Sequence, residues 1–137
     1  MLLAGDIGGT KTHLGSFDPL PVRPRPIVVG TFVTLDHRDL GAMLGEFLTA
    51  TNVRAETIES VCFGVAGPVF GDTAELTNVQ WRIDAQAVAA ALGLPRIRLL
   101  NDLEAMAYSV PVLQGAELHA LQKGEALRGG NIALIAA

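Results

Sequence analysis

The sequence feature that most constrains this chain is a glycine turn between two short apolar runs near its start. Residues 2–17 read LLAGDIGGTKTHLGSF, a pattern that predicts a strand, a tight turn and a second strand. Gly8 and Gly9 have no Cβ, so they can adopt positive φ and bring backbone N–H groups close to a phosphate. Thr10 adds a hydroxyl, and Asp6 adds a carboxylate of the kind that a phosphate-bound Mg²⁺ requires.

A plain β-hairpin is the alternative interpretation of the same residues, because a Gly-Gly pair also suits a tight turn. The two best-known nucleotide-binding patterns do not fit this run. A Walker A loop requires G-x-x-x-x-G-K-[ST], and a Rossmann turn requires G-x-G-x-x-G before a helix. Here the glycines stand at positions 5, 8 and 9, and a strand pattern follows them. The residues alone leave a hairpin and a phosphate site both open.

The bulk composition favours one globular domain with little charge on its surface. Of the 137 residues half are apolar and 18% are charged, with a net charge of −4. This balance argues against nucleic acid or an anionic membrane as a partner. No apolar run has the length of a membrane span or a signal peptide, so we expect a cytoplasmic protein. The single cysteine, Cys62, lies in an apolar run and is predicted to be a buried core thiol.

Three strand patterns precede a series in which helices and strands alternate. The segment 18–26 is rich in proline and predicts a surface loop, and IVVGTFVT then completes a three-stranded meander. The next helix carries one apolar stripe, and Asp36 or Asp39 could cap it. The stripe consists of Leu40, Met43, Leu44, Phe47 and Leu48.

The second half of the chain continues this alternation. IESVCFGVAG predicts a buried strand, and TAELTN is a candidate short strand. The clearest helix has Asp84 as its N-cap and Gly93 just past its end. IRLL and NIALIAA predict two more strands, with the helix NDLEAMAYSV between them. The order βββαβαβα predicts an α/β fold with a mixed five-stranded sheet and flanking helices.

Asn101 and Asp102 stand where the strand IRLL ends and the next helix begins. In open α/β sheets, ligands bind at the carboxyl ends of strands. An amide offers both donors and an acceptor, and a carboxylate offers two acceptor oxygens, so the pair suits the hydroxyls of a polyol. Helix capping is the alternative interpretation, because Asn101 followed three residues later by Glu104 resembles a capping box.

The position of Asp102 in the first turn of a helix limits its chemistry. The helix dipole stabilises the charged carboxylate at this position. Such a base suits phosphoryl transfer, in which the acceptor hydroxyl loses its proton late, better than proton abstraction from carbon. A further segment, GPVFGDTAELTNVQW, offers Thr77, Asn78 and Trp81 either as a wall of a sugar site or as an ordinary surface loop.

Three segments of the chain, in this order, resemble the N-terminal part of the bacterial glucokinase family, which belongs to the actin-like ATPase superfamily. GDIGGT resembles the family's first phosphate motif, AGPVFGD…LTNVQW resembles its strand and loop beside the sugar, and LLNDLEAMAYSVPVL resembles its catalytic segment. The resemblance covers essentially the whole chain. It implies a ribonuclease H-like, actin-like ATPase fold and the ATP-dependent transfer of a phosphoryl group to the 6-hydroxyl of glucose.

The resemblance also implies roles for particular residues. Asp102 would be the catalytic base, and Asp102, Asn101 and Asn78 would bind the sugar. Asp6 would help to place Mg²⁺ through water. The nucleotide would be held by the whole glycine turn, that is by Gly5, Asp6, Ile7, Gly8, Gly9 and Thr10. For Lys11, a phosphate contact and a solvated side chain both remain open.

Members of the family are more than twice as long as this chain, so the resemblance implies an incomplete kinase. We expect residues 1–131 to form the small N-terminal domain and residues 132–137 to form the first strand of a truncated second domain. The chain alone is expected to be inactive, because catalysis in this superfamily requires two domains to close. An exposed C-terminal strand would allow a homodimer to form by pairing of sheet edges.

Two interpretations without catalysis compete with the kinase. The chain would be either an actin-like nucleotide-binding module used in assembly, or a sugar-sensing module. Replacement of Asp102 distinguishes the assembly module from the kinase, because it should abolish kinase activity in a full-length protein and leave a scaffold unaffected. A sugar sensor would retain sugar affinity without any dependence on ATP.

Overall fold

Strands outnumber helices in this computed structural model, which describes residues 1–125, 127 and 129–135. Within that part of the chain there are eight strands and three α-helices. In order they are β1 (Leu2–Ile7), β2 (Lys11–Asp18), β3 (Arg25–Val33), α1 (Leu40–Thr51), β4 (Ser60–Val65), β5 (Val69–Phe70), β6 (Thr73–Glu75), β7 (Arg82–Asp84), α2 (Ala85–Leu92), β8 (Ile97–Asn101) and α3 (Asp102–Ser109).

Five of the strands form one mixed sheet in the order β3-β2-β1-β4-β8. The first three strands form an antiparallel meander, whereas β1, β4 and β8 run parallel to one another. A parallel neighbour needs a crossover connection, and α1 and α2 lie within the two crossovers. The predicted mixed five-stranded sheet with its βββαβαβα order is therefore confirmed.

A second, small sheet was only partly predicted. It contains β5, β6 and β7 in antiparallel order, although the sequence had indicated one candidate strand in this region. Strands of two or three residues are too short to show an alternating pattern. The turn between β5 and β6 contains Gly71 at φ 61°, a conformation that glycine adopts without steric cost.

The helices follow their sequence signals closely. In α1 the stripe residues Leu40, Met43, Leu44 and Phe47 are buried, and Leu48 is half-buried. The N-cap is Asp39, whose carboxylate accepts the N–H of Ala42 at 2.7 Å, while Asp36 lies in the preceding 3-10 turn. In α2, Asp84 accepts the N–H of Ala87 at 3.0 Å, and Gly93 ends the helix at φ 64°. None of the described helices has the length and apolarity needed to cross a membrane.

The two faces of the main sheet differ in how well they are covered. The buried core lies on the face that α1 and α2 pack against, whereas α3 covers β4 and β8 on the opposite, outer face. On the rest of that outer face three apolar side chains of β3 are about half exposed: Ile27 at 52%, Val29 at 56% and Val33 at 49%. The meander therefore presents an open apolar surface.

Cys62 lies on the outer face of β4 and is half-buried, so the prediction of a fully buried core thiol was wrong. Side chains alternate along a strand, and Val61 and Phe63 take the core positions on either side of it. Burial raises the pKa of the Cys62 thiol, and the nearby Arg98 guanidinium partly opposes that effect. The thiol is therefore largely protonated at neutral pH.

The strand predicted from NIALIAA is not formed in the described residues 131–135. A strand is stabilised by pairing with a neighbouring strand, and none of the described strands pairs with this segment. Ala136 and Ala137 lie outside the described residues. The assignment of 132–137 to a second domain stays a prediction.

The proline-rich loop between β2 and β3 is tied to the segment that follows α3. Arg23 makes two hydrogen bonds to the carboxylate of Glu117, at 2.7 and 3.1 Å. The same carboxylate accepts the backbone N–H of Gln114 at 2.9 Å. The Arg23 bond is the main cause that holds the pKa of Glu117 below its ordinary value, and the Gln114 bond adds to it. The loop is thus a structural contact as well as a surface connection.

We expect the Arg23–Glu117 contact to depend on pH. Because the pKa of Glu117 is lowered in the folded chain, the contact stabilises the fold fully at pH values above the ordinary pKa of a glutamate. This stabilisation is lost as the pH falls through the lowered pKa. Replacing Arg23→Gln should raise the midpoint of the Glu117 titration, followed by the NMR shift of the Gln114 amide. Arg25→Gln breaks the Asp18–Arg25 pair at the end of the same loop and serves as the control. Equal midpoints in the two variants would contradict the assignment.

Candidate active site

The carboxyl ends of three parallel strands meet at one edge of the main sheet. Ile7 at the end of β1 is in register with Val65 at the end of β4, and Val65 is in register with Asn101 at the end of β8. The N–H of Ala66 donates to the carbonyl of Ile7 at 3.0 Å, which joins the first two ends. The glycine turn, the loop after β4 and the Asn101–Asp102 pair therefore lie side by side, where open α/β sheets bind ligands.

The glycine turn closes a β-hairpin, as the plain interpretation predicted. The N–H of Gly8 donates to the carbonyl of Lys11 at 3.1 Å. Neither Gly8 nor Gly9 adopts positive φ, so that part of the expectation was wrong, while their approach to a phosphate stays a prediction. Close approach to other atoms is the reason for glycine at these positions. A Cβ on Gly8 would lie 2.6 Å from the carbonyl oxygen of Lys11, and a Cβ on Gly9 would lie 2.9 Å from the Cβ of Asn78.

Two threonines that the sequence analysis did not single out hold this turn from the core side. The hydroxyl of Thr34 donates to the carbonyl of Gly8 at 2.8 Å, and the N–H of Thr34 donates to the carbonyl of Thr10 at 3.0 Å. The hydroxyl of Thr12 lies 3.0 Å from that of Thr34, and both side chains are fully buried. The alternation in THLGSF places Thr12 with Leu14 on one face, but no local signal connects Thr34 to the turn.

Asp6 and the backbone of Asp102 lie on the same outer face of the sheet. Asp6 is exposed and is in register with Gly64 of β4. A Cβ on Gly64 would lie 3.0 Å from the Cβ of Ala105 and 3.9 Å from the Cα of Asp102. The start of α3 thus packs directly over Gly64, and Asp6 lies beside Gly64 on the neighbouring strand β1.

Asn101 and Asp102 both cap α3. The side-chain oxygen of Asn101 accepts the N–H of Leu103 at 3.0 Å, and Oδ1 of Asp102 accepts the same N–H at 2.9 Å. The capping interpretation is confirmed, with Leu103 rather than Glu104 as the bonded residue. Asn101 also donates to the carbonyl of Gly67 at 3.1 Å. A second amide hydrogen of Asn101 and the Oδ2 atom of Asp102 remain for a ligand, because each group can form further bonds.

The loop after β6 lies over the glycine turn. Asn78 is exposed and packs against Gly9, so this predicted sugar ligand lies beside the glycine turn. The N–H of Thr77 donates to the carbonyl of Ala66 at 3.3 Å, which holds the loop beside the end of β4. Trp81 is 9% exposed and belongs to the core, so it has little surface to offer a sugar.

Lys11 and Asp6, the two other charged residues at the predicted nucleotide site, are both exposed. Lys11 is exposed, and its ammonium makes no ion pair within the described part of the chain. No group of three metal-ligating side chains occurs among the described residues. Mg²⁺ in nucleotide sites is usually held by one or two carboxylates together with phosphate and water. The exposed carboxylate of Asp6 fits that pattern.

A second acidic residue, Asp72, has a shifted pKa but lies in a different place. Hydrogen bonds from Gln86 at 2.7 Å and from Arg96 at 3.0 Å hold the pKa of Asp72 below its ordinary value, with the Gln86 bond as the larger cause. These side chains line a cavity of about 480 Å³ between α2 and the start of β8. Both oxygens of Asp72 have partners, which indicates a structural contact between the β5–β6 turn and α2.

Comparison with protein families and relatives identifies what the chain is similar to. The family model described as Glucokinase matches residues 3–137. A glucokinase of Nostoc punctiforme is 38% identical over 126 residues, which cover 91% of this chain and 36% of the relative. A glucokinase of Trichormus variabilis is 38% identical over 138 residues, which cover 100% of this chain and 40% of the relative. The chain therefore spans well under half the length of these relatives.

Solved structures show the same fold. The crystal structure of a glucokinase from an Antarctic psychrotroph matches with a TM-score of 0.74 at 26% identity, over 91% of this chain and 39% of that one. A glucokinase from Balamuthia mandrillaris, solved in complex with glucose, matches with a TM-score of 0.58 at 21% identity, over 80% of this chain and 31% of that one. The fold predicted from the sequence, that of the actin-like ATPases, is thereby confirmed.

Proposed function

Because the chain belongs to the glucokinase family, we propose that it forms the part of an ATP-dependent glucose kinase that binds phosphate and presents the catalytic base. The single observation that carries this proposal is the register of Ile7, Val65 and Asn101, which brings the glycine turn and Asp102 to the same edge of the sheet, on either side of β4. A phosphate site beside a carboxylate that has a free oxygen is what phosphoryl transfer to a hydroxyl requires.

In the proposed reaction, the 6-hydroxyl oxygen of glucose attacks the γ-phosphorus of ATP. A new P–O bond forms, the bond from the γ-phosphorus to the bridging oxygen breaks, and ADP leaves with the electron pair. The hydroxyl proton passes to Oδ2 of Asp102, the carboxylate oxygen that the described chain does not bind. Asn101 holds the sugar from the same helix start, and the amide of Asn78 is placed near the phosphate side.

The first turn of α3 sets the character of the proposed base. Asp102 is the first residue of the helix, and its carboxylate accepts a backbone N–H there. The carboxylate therefore lies at the positive end of the helix dipole, with one oxygen bound by a backbone N–H. Such a group orients the hydroxyl and accepts its proton late, as a loose phosphoryl-transfer transition state allows.

The nucleotide would bind along the glycine turn. Its β- and γ-phosphates would meet the backbone N–H groups of Gly9 and Thr10 and the Thr10 hydroxyl, which lies on the exposed side of the turn. Mg²⁺, when bound, would neutralise phosphate charge, with Asp6 as the carboxylate that holds it through water. The role of Lys11 and the cytoplasmic location remain predictions from the sequence.

We also propose that this chain alone binds its substrates weakly and does not turn them over. The candidate site is one edge of a sheet with groups on a single side, whereas phosphoryl transfer needs reactants that are held together away from water. The open apolar face on β3 and the partial coverage of the relatives' length support the view that further protein covers this domain. A homodimer through residues 132–137 is a separate prediction.

The proposed function is tested with two proteins. One is the 137-residue chain, and the other is a completed kinase in which the chain is followed by the remaining C-terminal part of the Trichormus variabilis relative. A coupled assay of glucose 6-phosphate should detect turnover in the completed kinase and none above background in the chain alone. Calorimetric titration with glucose and MgATP should show weak binding to the chain. Tight binding of both substrates with turnover by the chain would overturn the second proposal, and an inactive completed kinase would contradict the first.

A further inference from the structure

Thr12 and Thr34 lie outside the GDIGGT run, and no role in ligand binding was predicted for them. Thr34 begins the 3-10 turn Thr34–Asp36 that follows β3, and Thr12 is the second residue of β2. Their hydroxyls meet beneath the glycine turn, and both side chains are fully buried. Buried hydroxyls in a core position cost stability unless they form hydrogen bonds, so their partners indicate what they do.

The hydrogen bonds in this pair have one direction only. A threonine hydroxyl has a single hydrogen, and that of Thr34 is donated to the carbonyl of Gly8 at 2.8 Å. The 3.0 Å contact between the two hydroxyls must therefore be donated by Thr12 and accepted by Thr34. The result is a relay that runs from Thr12 through Thr34 to Gly8. Chains of this kind strengthen each bond in a low-dielectric interior.

The relay determines the orientation of the peptide between Gly8 and Gly9. A trans peptide is planar, and its C=O and N–H groups point in opposite directions. No cis peptide occurs among the described residues. Because the Gly8 carbonyl is drawn towards Thr34 in the core, the N–H of Gly9 is turned away from the core. The N–H of Thr34 fixes the carbonyl of Thr10 as well, at 3.0 Å, so the turn is held on both sides of Gly9.

We propose that Thr34, supported by Thr12, is a positioning residue that presents the Gly9 N–H to a phosphate oxygen of the nucleotide. The inference rests on the proposed function, because it assumes that the glycine turn is the phosphate site. A pair of glycines without side-chain support could rotate this peptide freely. The relay keeps the N–H group oriented before the ligand arrives, so the turn does not have to be ordered on binding.

The test uses the chain itself, labelled with ¹⁵N, and three variants that differ in one hydroxyl. Thr34→Val removes the donor to Gly8 with little change in shape, Thr34→Ser keeps the hydroxyl, and Thr12→Val breaks the relay one step earlier. Ser16→Ala is the matched control, since Ser16 is on the same strand as Thr12 and its buried hydroxyl has no partner within the described chain. Urea unfolding checks that every variant is folded.

Two measurements are made on each variant. The first is hydrogen exchange of the Gly8 amide, which is bonded to Lys11 across the turn. The second is the Kd for MgATP, obtained from NMR shifts so that weak binding can be measured. We expect Thr34→Val to speed Gly8 exchange and to raise the Kd, each by about tenfold or more, because it leaves the part-buried carbonyl of Gly8 without its donor. The exchange rate and the Kd of Thr34→Ser should stay close to those of the unchanged chain. Thr12→Val should change both by less than Thr34→Val does, and Ser16→Ala should change neither.

The two measurements separate this inference from the proposed function. If Thr34→Val changed neither the Gly8 exchange rate nor the Kd for MgATP, the positioning role of Thr34 would be refuted. The proposal that the glycine turn binds phosphate would not be affected by this result. An effect in Thr34→Ser as large as in Thr34→Val would also refute the positioning role, because the hydroxyl would then not matter. If the unchanged chain showed no MgATP binding by NMR although Gly8 exchange responded to Thr34→Val, the phosphate role of both turn and relay would be refuted.

Discussion

Replacing Asp102→Asn in the completed kinase should lower kcat by about 10²- to 10⁴-fold, the usual contribution of a general base. The amide keeps the size of the carboxylate, and its oxygen can still accept the N–H of Leu103, so α3 should keep its first turn. The amide oxygen cannot take the proton of the sugar hydroxyl. The KM for MgATP should change little, because the glycine turn is not altered. Steady-state kinetics with both substrates measure these effects.

Glu104→Gln is the matched control for this variant. Glu104 is the other acidic residue in the first turn of α3, and its side chain is exposed. The substitution removes one negative charge from the same helix start, so it tests whether charge near the helix dipole is sufficient to explain the loss. We expect kcat within about twofold of the unchanged kinase, as for surface substitutions away from a site. A similar loss of kcat in both variants would contradict the role of Asp102 as base.

The features that could be predicted from the sequence are those with local causes. The cap of α1 and the end of α2 depend on residues within one turn of each helix. The sequence offered Asp36 or Asp39 as the cap of α1, of which Asp39 is the cap, and Gly93 as the end of α2. The placement of Asn101–Asp102 beside the glycine turn was also predictable. Strands joined by helical crossovers run parallel, as β1, β4 and β8 do, and parallel strands end at the same edge of a sheet.

The features that could not be predicted depend on contacts between distant parts of the chain. Gly8 and Thr34 are 26 residues apart, and a threonine that follows a β-branched strand carries no sign of the carbonyl that it will bind. The reason for glycine at position 9 is the side chain of Asn78, which approaches from another loop. Trp81 was considered a possible sugar wall, yet it is 9% exposed and packs within the core cluster. In each case the partner is set by the tertiary fold rather than by the neighbouring sequence.

Gly67→Ala is expected to be the most damaging single-methyl change at the candidate site. A Cβ on Gly67 would overlap the carbonyl oxygen of Glu75 and would lie 3.3 Å from the Cα of Leu76. These are backbone atoms of the last residue of β6 and of the residue that follows it, and they cannot rotate out of the way as the end of a side chain can. Overpacking of this kind costs about 1–3 kcal/mol. Urea unfolding of the 137-residue chain should therefore show a lower midpoint for Gly67→Ala.

Gly124→Ala is the control, because a Cβ there would meet nothing within 4 Å, and Gly124 is not at positive φ. Its unfolding free energy should lie within about 0.5 kcal/mol of that of the unchanged chain. The two alanines reduce the freedom of the unfolded chain alike, so their difference measures the native-state clash. Equal midpoints would show that the loop after β4 can move away from Glu75 without cost.

Gly67→Ala should also affect the binding of glucose. The carbonyl of Gly67 accepts a hydrogen bond from the amide of Asn101, so a displaced Gly67 removes one of the two contacts that orient this side chain. In the completed kinase, Gly67→Ala should raise the KM for glucose more than the KM for MgATP, because the glycine turn and its Thr34 support lie on the other strand pair. A general loss of folded protein would lower the apparent kcat and leave both KM values unchanged, because less enzyme is then active. Equal increases in the two KM values would contradict an effect that acts through Asn101, and an unchanged KM for glucose would show that Asn101 does not need Gly67 to bind the sugar.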